Sequence, residues 1–168
     1  MLRPQLTAIV FGGALAIIAP STAQPKFDHD YSTYAHILSQ FLVDGRVDYS
    51  NLVDNRDRLD SVVEEFSTVS RLTFSAWSRE ERLAYWINVY NLYTLRTIVD
   101  HYPIQGSWLS LYPFNSIQQI DGVWDTITWK AGGRIVTLDE IEHDILRPTF
   151  GEPLLHFAIN CAAVSCPP

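Results

Sequence analysis

The hydrophobic positions of this chain fall into helical-period segments separated by short polar or glycine-containing turns. In "DHDYSTYAHILSQFLVDG", Tyr31, Tyr34, Ile37, Leu38 and Phe41 recur at three- and four-residue spacing. That period predicts a short amphipathic helix over 30–43, stopped at Gly45. "RVDY" reads as a brief extended bridge. Ser50 or Asn51 then caps a polar-rich, peripheral helix through "LVDNRDRLDSVVEEFSTV", whose Leu52, Leu59, Val62, Val63 and Phe66 share one face. The strongest pattern is "SREERLAYWINVYNLYTLRTIVDHYP". Ser78 and Glu81 have capping-box spacing, and the chain from there to His101 is apolar on nearly every side until Pro103 disfavours continuation. A helix of that kind is the buried central one of its domain.

Further on, "DTITWKAGGRIVTL" predicts two short strands joined at Gly132-Gly133, because a tight hairpin needs positive φ at both central positions. Thr137 and Glu140 repeat the capping-box spacing and open a helix "LDEIEHDILR" that is expected to end near Arg147, before Pro148. On it Asp139 lies four residues before His143, which gives that histidine a carboxylate neighbour to orient it and raise its pKa. In "HFAINC" an extended chain puts His156, Ala158 and Asn160 on one side, and Phe157, Ile159 and Cys161 on the other. A helical chain also places His156 and Asn160 together, as an i,i+4 pair. The fold class expected is therefore α+β: a helix-rich single domain with a buried central helix, a short Gly-Gly hairpin and a C-terminal extended segment.

The N-terminus changes the compartment. Arg3 precedes an uncharged apolar run from Leu6 to Ala19, then Pro20 and the small residues Ser21, Thr22 and Ala23. These are the three parts of a secretory signal peptide, 1–23, with the cut after Ala23 and the mature domain over 24–168. The run is shorter than the roughly 20 apolar residues of a membrane span. The expectation is a secreted or periplasmic protein with no membrane association after cleavage. The full chain carries 12 basic and 19 acidic residues. Removing 1–23 deletes only Arg3 among these, leaving 11 against 19, or −8. Nucleic acid is not an expected partner, because phosphate recognition needs a cationic stripe and none is present. About 145 residues without repeat, low-complexity tract or Pro/Gly-rich linker make one domain's worth of chain.

"YWINVYNLYTL", "TLDEIEHDILRP" and "HFAINCAAVSCPP", in this order, resemble the three hallmark blocks of the family known as domain of unknown function 547. The resemblance runs from about Val47 to the C-terminus and implies no established reaction. Family members continue past the "SCPP" block, whereas this chain stops at Pro168, so the resemblance implies a domain lacking its C-terminal part.

Candidate chemistry gathers in the three blocks. Asn88 and Asn91, three apart among Trp86, Tyr90 and Tyr93, must be hydrogen-bonded, since an amide buried unpaired costs about 1–3 kcal/mol. They either tie the helix to loop backbone or orient a ligand group. The first reading of the cysteines is a Cys161–Cys166 disulfide, the expected arithmetic for two cysteines in an exported chain. His156 and Asn160 are then either satisfied core polar groups of a scaffold or, with Trp86, Tyr90, Asn88 and Asn91, the lining of a cleft for an unidentified small-molecule or peptide ligand. The alternative is a thiol hydrolase or acyltransferase with Cys161 or Cys166 as nucleophile, His143 or His156 as base and Asn88, Asn160 or Glu142 as orienter. A zinc site of His143, His156, Cys161 and Cys166 ranks third, because the Cys-x4-Cys separation exceeds the usual knuckle spacing. No cofactor or metal is expected. Trp108, Trp124 and Trp129 are read as packing rather than a sugar groove, and His29, His36 and His101 as surface or helix-end residues.

Overall fold

A computed structural model describes residues 26–162, so the apolar N-terminal run, the expected cleavage point and Cys166 lie outside the described residues. The fold is a helix-rich α+β arrangement with two small antiparallel hairpins. Helix α1 spans Ser32–Phe41 and buries Tyr34, Ile37 and Phe41. It is opened by Asp28, whose carboxylate accepts from the Asp30 and Ser32 amides at 2.9 Å each. These bonds favour the charged form and hold the Asp28 carboxyl below its ordinary pKa. Asp28 is thus a helix-start device.

The predicted helix end at 43 gives way to a hairpin. Strands β1 (Leu42–Val43) and β2 (Arg46–Val47) pair around Asp44-Gly45, both at positive φ. Asp-Gly is a strong turn signal for two-residue hairpins. The next helix divides in two, α2 (Tyr49–Asp54) and α3 (Arg56–Ser67). Its cap is Asp48, which accepts from the Asn51 amide, rather than Ser50 or Asn51. The break falls at Asn55, whose side-chain amide bonds back to the Asn51 carbonyl and competes with the helical ladder.

After the short α4 (Arg71–Ser75) comes the central helix, α5 (Arg79–Asp100), 22 residues long. Both halves of its capping box form: Glu81 N donates to Ser78 Oγ at 3.1 Å and Ser78 N to Glu81 Oε2 at 2.7 Å. Ser78→Ala is expected to lower stability by about 1 kcal/mol, read as a shifted urea midpoint with unchanged slope. Tyr85, Val89, Leu92 and Tyr93 of α5 are fully buried in one core with Leu52, Leu59, Val62 and Phe66 of α2 and α3 and with Leu138, Ile141 and Leu146. Ion pairs reinforce the α3–α5 contact: Arg96 meets both Asp60 and, at 2.9 Å, Asp100, while Arg56 also reaches Asp100.

Strands β3 (Trp129–Ala131) and β4 (Arg134–Val136) form the predicted Gly132-Gly133 hairpin, with φ of 55° and 73° at the two glycines. Two tyrosines hang it on α5. Tyr85 Oη accepts from Gly132 N at 2.9 Å and donates to Phe66 O at 2.9 Å, and Tyr93 Oη donates to Lys130 O at 2.6 Å. At Gly133 a side chain is excluded twice, by φ and by the Arg71 backbone nitrogen 2.4 Å from where a Cβ would stand.

The Thr137/Glu140 box also forms, yet the helix beyond it differs from expectation. Glu140–Leu146 winds as a π-helix and continues into α6 (Arg147–Phe150), passing Pro148 and ending at Gly151 in the left-handed region. A proline cannot donate to the ladder, and here it falls in the turn just after the winding changes pitch. Finally, α7 (Leu155–Ala158) is a single helical turn, and the chain becomes extended only at Ile159. Leu155 and Ile159, four apart, are both buried while Phe157 is exposed, so the buried pair follows helical rather than alternating spacing.

Candidate functional site

On α5, Trp86 and Tyr90 are four apart and turn into the core, with Trp86 packed edge-on to Phe74 and Tyr85. Asn88 and Asn91 belong to a different stripe of the helix and are half-buried. Trp86 is therefore a core residue placed away from the asparagines. Asn88 bonds within its own helix, donating to Ala84 O at 2.9 Å.

Asn91 does more. Its Nδ2 donates to Ala158 O at 3.0 Å and its Oδ1 accepts from Asn160 N at 2.8 Å. One carboxamide thus holds the backbone on either side of Ile159 along one edge, as a neighbouring strand would, across nearly 70 residues of sequence. Asn160 in turn accepts through Oδ1 from Ala162 N at 2.8 Å, making an Asx turn with Cys161 at its apex. Ala162 sits at φ 58°, unusual for a residue with a Cβ. Cys161 is half-buried at this turn.

The other predicted site residues lie as follows. Glu142 is engaged by the Arg147 guanidinium. His143 is exposed on the π-helix, and it forms no ion pair with Asp139. His156 is exposed on α7 with its ring against Phe157. Among the described residues no hydrogen bond or ion pair links His143, His156, Asn88 and Asn91 to one another. Nor do three His, Cys, Asp or Glu side chains come together as a metal-binding group among the described residues. The described part of the proposed zinc set is His143, His156 and Cys161; Cys166 lies outside, as does that half of the proposed disulfide.

The stripe that carries the asparagines begins further up α5, at Glu81, and sequence reasoning missed what covers it there. Glu81 Oε1 lies 3.6 Å from His29 Nε2, and the His29 ring packs edge-on to Trp77 with centroids 4.5 Å apart. His29 is thus partly buried rather than a surface residue. Beside it Tyr31 has a buried hydroxyl without a well-formed hydrogen bond. Burial pushes its pKa up to about 12, only partly offset by the nearby Asn88 amide. The Glu81–Asn88 spacing of seven was the available signal: two polar residues on one stripe of an otherwise greasy helix. Trp124 bonds Gln118 and Trp129 stacks on Tyr93, so these two are packing residues, while Trp108 is exposed.

A family model for proteins of unknown function, DUF547, matches residues 74–168. This region carries α5, the Gly-Gly hairpin, the π-helix and the Asn91-gripped segment. Neither the curated proteins nor the solved structures contain a match to the chain.

Proposed function

The chain belongs to the DUF547 family, and from that premise we propose that it is an exported ligand-binding domain whose site lies where Ala158–Ala162 rests on the asparagine stripe of α5. The observation that carries this reading is the pair of hydrogen bonds by which Asn91 donates to Ala158 O and accepts from Asn160 N. Fixing a residue's backbone costs about 1–2 kcal/mol of conformational entropy. A carboxamide that uses both its donor and its acceptor on this segment fixes its backbone on either side of the buried Ile159, while Asn160, Cys161 and Ala162 stay half-exposed. Asn160 and Cys161 are the half-exposed polar side chains so held, and the ligand read for them is a small molecule or a peptide. Export rests on the N-terminal apolar run and its small-residue end, and in an oxidising compartment Cys161 and Cys166 are read as a disulfide pair.

A thiol hydrolase or acyltransferase is the second reading. What favours it is Ala162 at φ 58°, directly after Cys161, since strained backbone is concentrated at functional sites. His143 or His156 then serves as base.

Intact mass of the exported protein after alkylation, with and without reductant, separates the two. Alkylation of both cysteines only after reduction is the expected result. One cysteine that alkylates rapidly near neutral pH without reductant would overturn the disulfide and move the reading to a thiol enzyme.

A further inference from the structure

The segment from Pro103 to Ile120 contains no charged residue, in a chain whose formal net charge is −7. Within it, Gly106–Phe114 forms a compact loop that turns its apolar side chains outward. Trp108 is 83% exposed and Leu111 fully so, with Leu109, Tyr112 and Phe114 exposed beside them. Ordinary surface loops are polar outside; this one is polar inside. The Gly106 amide donates to Phe114 O at 2.9 Å and closes the loop. Gln119 fills its interior, accepting from Ser107 N through Oε1 and donating through Nε2 to Ser107 O and, at 3.0 Å, to Tyr112 O. Ser107 and Ser110 hydroxyls accept from the Leu109 and Tyr112 amides at 3.2 Å each. Gly106 is needed because the Gln119 side chain lies 2.4 Å from where a Cβ would stand.

We propose that this loop is a membrane-contact site, whose Trp108–Phe114 tip inserts into the interface of a zwitterionic phospholipid bilayer. Three features converge on lipid. Backbone polar groups are costly in hydrocarbon, and the loop ties its base from within through Gly106, Ser107, Tyr112 and Phe114, leaving the tip backbone at the depth of the hydrated headgroups. A charge carried into the bilayer is costly, and the loop carries none. Trp and Tyr favour the headgroup level, where an apolar ring and a polar tip are both accommodated. The acidic surface of the rest of the chain disfavours anionic lipid, which selects a neutral headgroup. A second copy of the chain is the weaker occupant, since a stable protein interface takes about 20–30 residues a side and this tip is one nine-residue loop. The low basic content noted from the sequence removes electrostatic attraction to membranes, not apolar insertion. Among the described residues no helix is long and apolar enough to cross a membrane, so the contact is peripheral.

The test is flotation of the full chain with phosphatidylcholine vesicles, and with vesicles of phosphatidylcholine and phosphatidylglycerol, comparing wild type with Leu111→Asp. Because Leu111 touches nothing in the fold, the variant should keep its thermal midpoint. Expected is flotation of wild type on phosphatidylcholine, weaker on the anionic mixture, and partition reduced about tenfold in Leu111→Asp. The proposal is overturned by no flotation of wild type, by equal flotation of the two proteins (which would assign binding to the N-terminal apolar run or another surface), or by preference for the anionic vesicles. It is also overturned if, without lipid, light scattering finds a wild-type dimer that Leu111→Asp makes monomeric.

Discussion

Tyr85→Phe lowers the unfolding free energy by about 2 kcal/mol, although it deletes a single oxygen. The hydroxyl joins two backbone groups that are distant in sequence, Phe66 O and Gly132 N. Phe66 O keeps a second donor, from the end of α3, but the buried Gly132 amide loses its partner, and an orphaned donor costs about 1–3 kcal/mol. The ring itself is left in place, stacked on Phe66 at 5.7 Å and edge-on to Trp77 and Trp86. Tyr85→Ala removes that cluster as well and should cost about 4 kcal/mol. Urea unfolding of the three proteins checks both figures. A Phe variant within 0.5 kcal/mol of wild type would show that the hairpin does not depend on this hydroxyl. The contribution has a pH limit with a defined sign. Burial raises the Tyr85 pKa well above that of an ordinary phenol. The stability it gives is complete below the unfolded-state pKa near 10 and is lost as pH rises beyond it.

Asn91→Ala should release the Ala158–Ala162 segment while leaving the rest of the fold intact. Two hydrogen bonds between a half-exposed amide and loop backbone are together worth about 1–2 kcal/mol. The more telling readout is local: hydrogen exchange at the Asn160 amide should accelerate about tenfold, with α5 amides near Val89 unchanged. Asn91→Asp should be no better, because a carboxylate accepts from Asn160 N but cannot donate to Ala158 O. Asn88→Ala serves as the comparison. Its amide bonds Ala84 in the same helix and lies near Tyr31, away from the C-terminal segment, so it should leave Asn160 exchange as it was. If Asn160 exchange is the same in Asn91→Ala as in wild type, the carboxamide does not hold the segment and the proposed site loses its anchor.

Local periodicity and capping chemistry determined much of this molecule without reference to the rest of the chain. The capping boxes at Ser78/Glu81 and Thr137/Glu140 act over three residues, and the Gly132-Gly133 turn over two, so their outcome is written in adjacent side chains. The burial of α5 was equally legible, since a helix apolar on most sides can only be central. The first hairpin was legible too, in Asp44-Gly45, but the preceding helical period ran into it and hid its short strands.

What tertiary structure alone decided concerns pairs far apart in sequence. That Asn91 and not Asn88 grips the C-terminal segment depends on where α7 settles against α5, and a three-residue spacing cannot distinguish the two. His29 and Tyr31 come to cover Glu81 and Asn88 because α1 packs on α3 and α3 on α5, a chain of contacts with no local signature. The π-winding of Glu140–Leu146 shifts His143 relative to Asp139, which helical spacing had put together. Local interactions fix which elements form. Which of their polar faces meet is set by the packing of apolar surfaces elsewhere, and sequence spacing does not encode that.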